Sequence, residues 1–219
     1  DGNQGTGVLV APHWMLLVRH VLSNEEAADM DGLGADVRGD VVLAGEGDLH
    51  ERVTFAPSLD LRLRDASCDW RVVRTRAEID RSRAAALLPL DTRVNVGDRV
   101  VIGGFIPRTS GPGVSFARMR EPHLWSSLGI VTRVHETGAF AVVLQDEHSA
   151  PGCSGAPVIR LNSEGEPEAV VGLYTGTHTG LRLPRIVQQF GACAPVTRSV
   201  VELIEGANRD AGAQQPGTP

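Results

Sequence analysis

The sequence predicts an all-β protein made of two β-rich halves and a terminal helix. The 219 residues include 25 glycines and 13 prolines, which suits many short strands joined by turns. Runs of β-branched residues recur along the chain, and such residues favour strands. Aromatic residues make up only 4% of the chain, so aliphatic side chains must fill the core.

Strands are predicted throughout the first half. Residues 6–12 form one strand, and residues 13–20 form a second strand that runs into His20. Further strands are predicted at residues 40–44, 52–55, 59–63 and 70–74. Residues 77–88 favour a short helix because they are rich in alanine and leucine, and Pro89 ends it.

The second half continues this pattern. Its predicted strands cover residues 98–103, 127–134, 140–145, 158–161, 168–174 and 188–194. Thr137 and Gly138 provide the turn of one hairpin, and residues 162–167 provide the turn of another. Strands separated by such turns indicate a second β-rich unit.

A helix is predicted near the C-terminus. Apolar residues recur at helical spacing over residues 196–205, and Thr197 is a suitable cap. From Ala207 onward the composition of glycine, alanine, glutamine and proline predicts a disordered tail or linker. We therefore expect units over residues 1–93 and 94–206, the second including the helix, and a tail over residues 207–219.

Composition argues against several classes of partner. The net charge is −6 and no basic tract is present, so nucleic acid is not expected. No apolar run has the length needed to span a bilayer, and no signal peptide is expected. Three widely spaced cysteines match neither a zinc pattern nor a disulfide framework. All 21 basic residues are arginine, which indicates a GC-rich bacterial source.

The stretch from Pro151 to Pro157 carries the strongest chemical signal. Gly152 and Gly155 flank Ser154 closely, and glycine permits backbone conformations that a side chain blocks. The N–H groups of Gly152 and Ser154 could then converge on a developing oxyanion. This pattern predicts a hydrolase with a serine nucleophile, although Gly-x-Ser-Gly also occurs in ordinary turns.

Several further stretches of the sequence are informative when they are taken together in their order along the chain. They are Thr6-Gly7-Val8-Leu9-Val10-Ala11-Pro12, Leu17-Val18-Arg19-His20-Val21-Leu22, Asp69-Trp70-Arg71-Val72-Val73-Arg74, Val96-Gly97-Asp98-Arg99-Val100-Val101, Gly129-Ile130-Val131, Val170-Val171-Gly172-Leu173 and Phe190-Gly191-Ala192-Cys193-Ala194-Pro195. Together they resemble trypsin/chymotrypsin-like serine peptidases, and among these the bacterial HtrA-type branch. The resemblance covers residues 5 to about 205.

This resemblance implies a chymotrypsin-like architecture of two six-stranded antiparallel β-barrels with a C-terminal helix. The first barrel, over residues 1–93, would carry His20 and Asp69, and the second, over residues 94–206, would carry Ser154. Ser154 would attack the substrate carbonyl, His20 would act as general base and acid, and Asp69 would orient the imidazole. The Gly152 and Ser154 N–H groups would form the oxyanion hole. No metal or organic cofactor is implied.

The resemblance also implies where a protein or peptide substrate would lie. The implied substrate-binding residues are His148, Tyr174, Thr175, Gly176 and Thr177. Two histidines at such a pocket, His148 and His178, would favour an acidic side chain. The few cysteines and the linker-like tail favour a module of a larger intracellular protein over a secreted enzyme.

Other interpretations of these residues remain open. His20 by itself would be read as a hydrogen-bonded histidine at a strand end, and Asp69 competes with Asp60 and Asp65, which would then be solvated loop charges. The family usually has a small or apolar residue at the position of Arg71. Cys153 precedes the serine where zymogen-type enzymes keep an aspartate, so we expect no activation by a buried terminal amine.

Two other functions remain. The first is a catalytically impaired pseudoprotease that uses the same barrels as a peptide-binding or scaffolding module. The second is an esterase or lipase of another fold. Ala156 argues against it, because the Gly-x-Ser-x-Gly elbow of such enzymes needs a glycine at this position.

Overall fold

A computed structural model describes residues 5–11, 14–18, 37–42, 50–56, 70–75, 88–107, 122–145, 152–179 and 189–213. The strands are β1 (Gly7–Ala11), β2 (Trp14–Leu17), β3 (Val37–Val42), β4 (His50–Ala56), β5 (Arg71–Thr75), β6 (Arg99–Pro107), β7 (Pro122–Val134), β8 (Phe140–Leu144), β9 (Pro157–Leu161), β10 (Pro167–Thr179) and β11 (Gln189–Pro195). The helix is α1 (Arg198–Ala213). Among these residues no helix is both long enough and apolar enough to cross a membrane.

The first five strands form one antiparallel sheet in the order β1-β2-β5-β4-β3. Strand β2 lies between β1 and β5, and its last residue, Leu17, is paired with Arg71 at the start of β5. The predicted strands of the first half are confirmed here except for residues 59–63, which lie outside the described residues. Of the helix predicted at 77–88, residues 77–87 also lie outside them, and Leu88 is described but is not helical. A sixth strand that would close this sheet into a barrel is not among the described residues.

The last six strands form a closed antiparallel barrel in the order β10-β11-β8-β7-β6-β9. Strand β8 shows how the sequence builds it, because Phe140, Val142 and Leu144 are buried while the residues between them are only partly covered. Alternate residues of a strand point to opposite faces, so one face of β8 fills the barrel. The hairpins predicted around Thr137-Gly138 and residues 162–167 are confirmed.

Besides the apolar interior of the barrel, the two halves share a second apolar core. Leu16, Val18 and Trp70 from the first sheet pack with Leu173 from β10 and Val200 from α1. Burial of large aliphatic and aromatic side chains stabilises a fold by about 1.5–3 kcal/mol each. Because this cluster draws on the sheet, the barrel and the helix, it fixes how the two halves meet.

Arg160 fastens the segment between the two halves to the barrel. Its guanidinium donates to Asp91 Oδ2 at 2.8 Å, to Glu168 Oε2 at 2.9 Å and to the Arg93 carbonyl at 2.9 Å. Hydrogen bonds from Arg93 and Arg160 hold the pKa of the Asp91 carboxyl well below its usual range, against an opposing effect of desolvation. The backbone N–H of Asp91 also donates to the Val170 carbonyl at 3.0 Å.

Helix α1 begins where the sequence indicates. Thr197 lies just before it and accepts a hydrogen bond from the Val200 N–H at 3.4 Å through its hydroxyl, as an N-cap does. Arg198 and Glu202 form an exposed ion pair one turn apart at 2.7 Å. The helix continues to Ala213, so residues 207–213, which the composition assigned to a tail, are helical. Alanine is the strongest helix former, and this stretch contains three.

Gly172 marks the closest approach of β10 to its neighbours. A Cβ at this position would lie 2.5 Å from the Ala194 carbonyl oxygen and 2.8 Å from the Phe140 ring. These distances are shorter than van der Waals contact, so only glycine fits between β10, β11 and β8.

We expect Gly172→Ala to lower the free energy of unfolding by about 2–3 kcal/mol, because the added methyl group overpacks the barrel. Gly206→Ala is the matched control, because a Cβ there has nothing within 4 Å. Alanine in that helix should raise the free energy of unfolding by about 0.5–1 kcal/mol. Urea unfolding measures both, and a Gly172→Ala midpoint equal to wild type would contradict the close approach of the strands.

Candidate active site

Ser154 lies in a tight turn between the barrel and the first sheet. The Ala156 N–H donates to the Cys153 carbonyl at 2.9 Å, and Gly155 has a φ of +89°. This is the pattern of a type II turn, in which the third residue needs a positive φ. Ser154 is therefore the second residue of the turn, and we call residues 152–156 the serine turn.

Ser154 is partly exposed, whereas Cys153 and Gly155 on either side are buried. The turn therefore presents the serine at the surface while its neighbours hold the loop in place. Among the described residues, no hydrogen bond occupies the N–H of Gly152 or of Ser154. Their assignment to an oxyanion hole stays a prediction.

The serine turn is hydrogen-bonded to two strands. The Gly155 N–H donates to the Tyr174 carbonyl at 2.7 Å, and the Tyr174 N–H donates to the Ala156 carbonyl at 2.8 Å. On the other side, the Thr6 N–H donates to the Ser154 carbonyl at 2.7 Å. The turn therefore bridges β10 of the barrel and the start of β1 in the sheet.

Thr6 was assigned from sequence only to the opening strand. In the structure its hydroxyl also donates to the Gly152 carbonyl at 3.0 Å, across 146 positions of sequence. No local sequence signal indicates this contact, because the two residues come together only when the sheet docks on the barrel.

The end of β2 lies against the serine turn. Val18 is fully buried, and its Cγ2 atom lies 3.5 Å from the point where a Cβ on Gly155 would be. His20 and Asp69 lie outside the described residues, so their roles stay predictions.

The implied substrate residues differ in their surroundings. Tyr174 is 2% exposed and belongs to the barrel core, so its side chain is a packing side chain. The Thr175 hydroxyl donates to the Ala192 carbonyl at 3.0 Å, whereas a Cβ on Gly176 would meet nothing within 4 Å. His148 and the Thr177 side chain lie outside the described part of the chain.

Among the described strands, none pairs with one edge of β10 near the serine turn. Its pairing with β9 ends at Leu173, opposite Pro157. Beyond this point, residues 176–179 pair with β11 alone among the described strands. An extended peptide can add to such an edge through main-chain hydrogen bonds.

The two described cysteines are core residues. Cys153 is fully buried in the barrel and Cys193 is 3% exposed. Burial raises the pKa of the Cys193 thiol well above its usual range, so this side chain stays protonated. Thiolate chemistry needs an accessible cysteine, and both of these side chains are buried.

Comparison with known proteins identifies the fold. Among 418 matching chains of solved structures is a Glu endopeptidase in complex with MPD. It superposes with a TM-score of 0.58 and 19% sequence identity, over 95% of this chain and 87% of that chain. The chain therefore has a chymotrypsin-like protease fold, with a closed six-stranded barrel and a C-terminal helix.

Comparisons by sequence add nothing to this result. No protein-family model matches the chain, and no curated protein matches it. The likeness to the HtrA-type branch therefore stays a prediction.

We expect Gly155→Ala to disrupt the serine turn. The new Cβ would overlap the Thr6 carbonyl oxygen, and alanine would have to adopt a positive φ. The free energy of unfolding should fall by at least about 3 kcal/mol, with one part from the φ and another from the overlap.

Gly97→Ala is the matched control for Gly155→Ala. Gly97 has a similar φ of +95° but nothing within 4 Å of its Cβ position, so only the conformational cost of about 1–2 kcal/mol applies. Thermal unfolding compares the two variants. Equal losses would mean that the contact between the turn and Thr6 contributes nothing.

Proposed function

We propose that this chain is a serine endopeptidase that cleaves peptide bonds through an acyl-enzyme. Ser154 is the nucleophile, His20 the general base and acid, and Asp69 the residue that orients the imidazole. The Gly152 and Ser154 N–H groups bind the oxyanion. The chymotrypsin-like fold supports this proposal.

The observation that carries the proposal is the contact of β2 with the serine turn. Val18 packs against Gly155, and His20 follows Val18 by two residues. Two residues of chain span at most about 7 Å, and this short separation in sequence supports a role for His20 beside Ser154.

The pairing of β2 with β5 extends the same argument to Asp69. Leu17 is paired with Arg71, so His20 and Asp69 follow and precede this pair by three and two residues. A short stretch of chain therefore separates each of them from the same end of the sheet. This supports one constellation of histidine, aspartate and serine beside the turn.

The chemistry follows from these roles. His20 accepts the Ser154 hydroxyl proton as Oγ bonds to the substrate carbonyl carbon. The carbonyl oxygen becomes an oxyanion that the two N–H groups stabilise. The carbon–nitrogen bond then breaks as the imidazolium gives its proton to the leaving amine. Water, deprotonated by His20, attacks the acyl-enzyme, and the C–O bond to Ser154 breaks as its oxygen regains the proton.

A fluorophosphonate probe tests the proposal directly, because it reacts with activated serines. We expect covalent labelling of the wild type and none of Ser154→Ala. Equal labelling of both proteins would contradict Ser154 as the nucleophile. A wild type that is not labelled would favour the alternative function, a pseudoprotease that binds peptides without cleaving them.

For specificity we propose an acidic side chain before the cleaved bond. His148 and His178 lie in the stretches implied to bind substrate, and a histidine N–H can donate to a carboxylate. The structural neighbour is a Glu endopeptidase, which supports the same preference.

Cleavage of a peptide library measures this preference. We expect enrichment of Glu or Asp before the cut in the wild type and a weaker enrichment in His148→Gln or His178→Gln. His135→Gln is the control, because His135 is exposed in the turn between β7 and β8. A wild type without enrichment of acidic residues would defeat this proposal and leave the endopeptidase proposal standing.

A further inference from the structure

The start of β1 holds both sides of the residue proposed as nucleophile. Thr6 is 5% exposed. Its hydroxyl donates to the Gly152 carbonyl at 3.0 Å, and its backbone N–H donates to the Ser154 carbonyl at 2.7 Å. One residue from the first sheet therefore fixes two peptide groups of the serine turn.

These bonds orient three successive peptide planes. Each peptide group is planar and trans, so its C=O and N–H point in opposite directions. Thr6 holds the Gly152–Cys153 plane and the Ser154–Gly155 plane. Between them, the Ala156 N–H holds the Cys153 carbonyl at 2.9 Å, which sets the direction of the Ser154 N–H.

Of these hydrogen bonds, the one that the Thr6 hydroxyl donates acts nearest to Gly152. Gly152 has a φ of +103°, a conformation that only glycine adopts at low cost. Because glycine permits many backbone conformations, the orientation of its peptide groups depends on the hydrogen bonds that they make. The plane that the Thr6 hydroxyl fixes begins at Gly152. Release of that carbonyl would allow rotation about the Gly152 backbone bonds, which connect this plane to the neighbouring plane that carries the Gly152 N–H.

The surroundings of the hydroxyl favour a single orientation. A Cβ on Gly104 of β6 would lie 3.0 Å from Thr6 Oγ1 and 2.9 Å from the Ala156 Cβ. The side chain is thus enclosed between β6 and the serine turn. A buried hydroxyl in such a site needs an acceptor, since an unpaired one costs about 1–3 kcal/mol.

We propose that Thr6 is a positioning residue that holds the serine turn in its reactive conformation through its hydroxyl. The proposal rests on the endopeptidase function proposed above. In that function the hydroxyl acts on the peptide group that joins Gly152 to Cys153, next to the serine. A neutral hydrogen bond from the opening strand thereby supports the oxyanion donors.

The test compares Thr6→Val, which removes the hydroxyl but keeps the shape, with Thr6→Ser, which keeps the hydroxyl. Thr132→Val is the matched control, because the Thr132 hydroxyl also donates to a backbone carbonyl, that of Ala141 at 3.3 Å, at an exposed site on β7. If Thr6→Val does not fold, Thr6→Ala replaces it.

Two measurements are made on each variant. The first is kcat and KM on a cleaved peptide. We expect Thr6→Val to lower kcat about 10-fold with little change in KM, less than the roughly 10²–10³-fold loss of one whole oxyanion donor. The second is hydrogen exchange of the Gly155 and Ala156 amides, which should quicken about 10-fold in Thr6→Val. Thr6→Ser and Thr132→Val should resemble the wild type in both.

Several results would overturn the proposal. A kcat of Thr6→Val equal to that of the wild type would do so, as would unchanged exchange of the Gly155 and Ala156 amides. An equal loss of kcat in Thr6→Ser would also do so, because it would assign the effect to packing. A wild type that a fluorophosphonate does not label defeats the endopeptidase proposal instead. In that case the exchange rates still decide whether the hydroxyl holds the turn.

Discussion

The docking of the opening strand on the serine turn is the constraint on which the rest of this molecule depends. It joins Thr6 through two hydrogen bonds to Gly152, 146 positions away in sequence, and to Ser154. The apolar core around Leu16, Trp70 and Leu173 maintains it. Hydrogen bonds of this kind contribute only about 0.5–1.5 kcal/mol each. The apolar core therefore brings the halves together, and the polar contacts set the orientation of the turn.

The same arrangement explains why glycine occurs at particular points. Gly155 faces the Thr6 carbonyl, and Gly172 lies between β11 and the Phe140 ring. At both positions two backbones approach so closely that a methyl group would not fit. Close backbone contact thus holds the serine turn against the opening strand, while Ser154 itself stays partly exposed.

Much of the fold could be predicted from the sequence because its signals are local. The hairpin turn at Thr137-Gly138, the strand predicted at residues 140–145 and the Thr197 cap each depend on neighbouring residues, and each is confirmed. The end of α1 was misjudged, because glycine and proline near the terminus outweighed alanine in the prediction. A second barrel stays a prediction, because the first sheet is described with five strands. The roles of His20 and Asp69 stay predictions because both residues lie outside the described part of the chain.

The sequence by itself determined the β-rich class, the positions of most strands along the chain and the serine between two glycines, since these follow from residue type and spacing. Only the tertiary structure decided that Tyr174 is a core side chain and that Thr6 reaches the Gly152 carbonyl. Neither fact has a local signature. Both depend on which strands become neighbours when the barrel closes and the sheet packs against it, and that choice is made by the burial of the whole apolar surface.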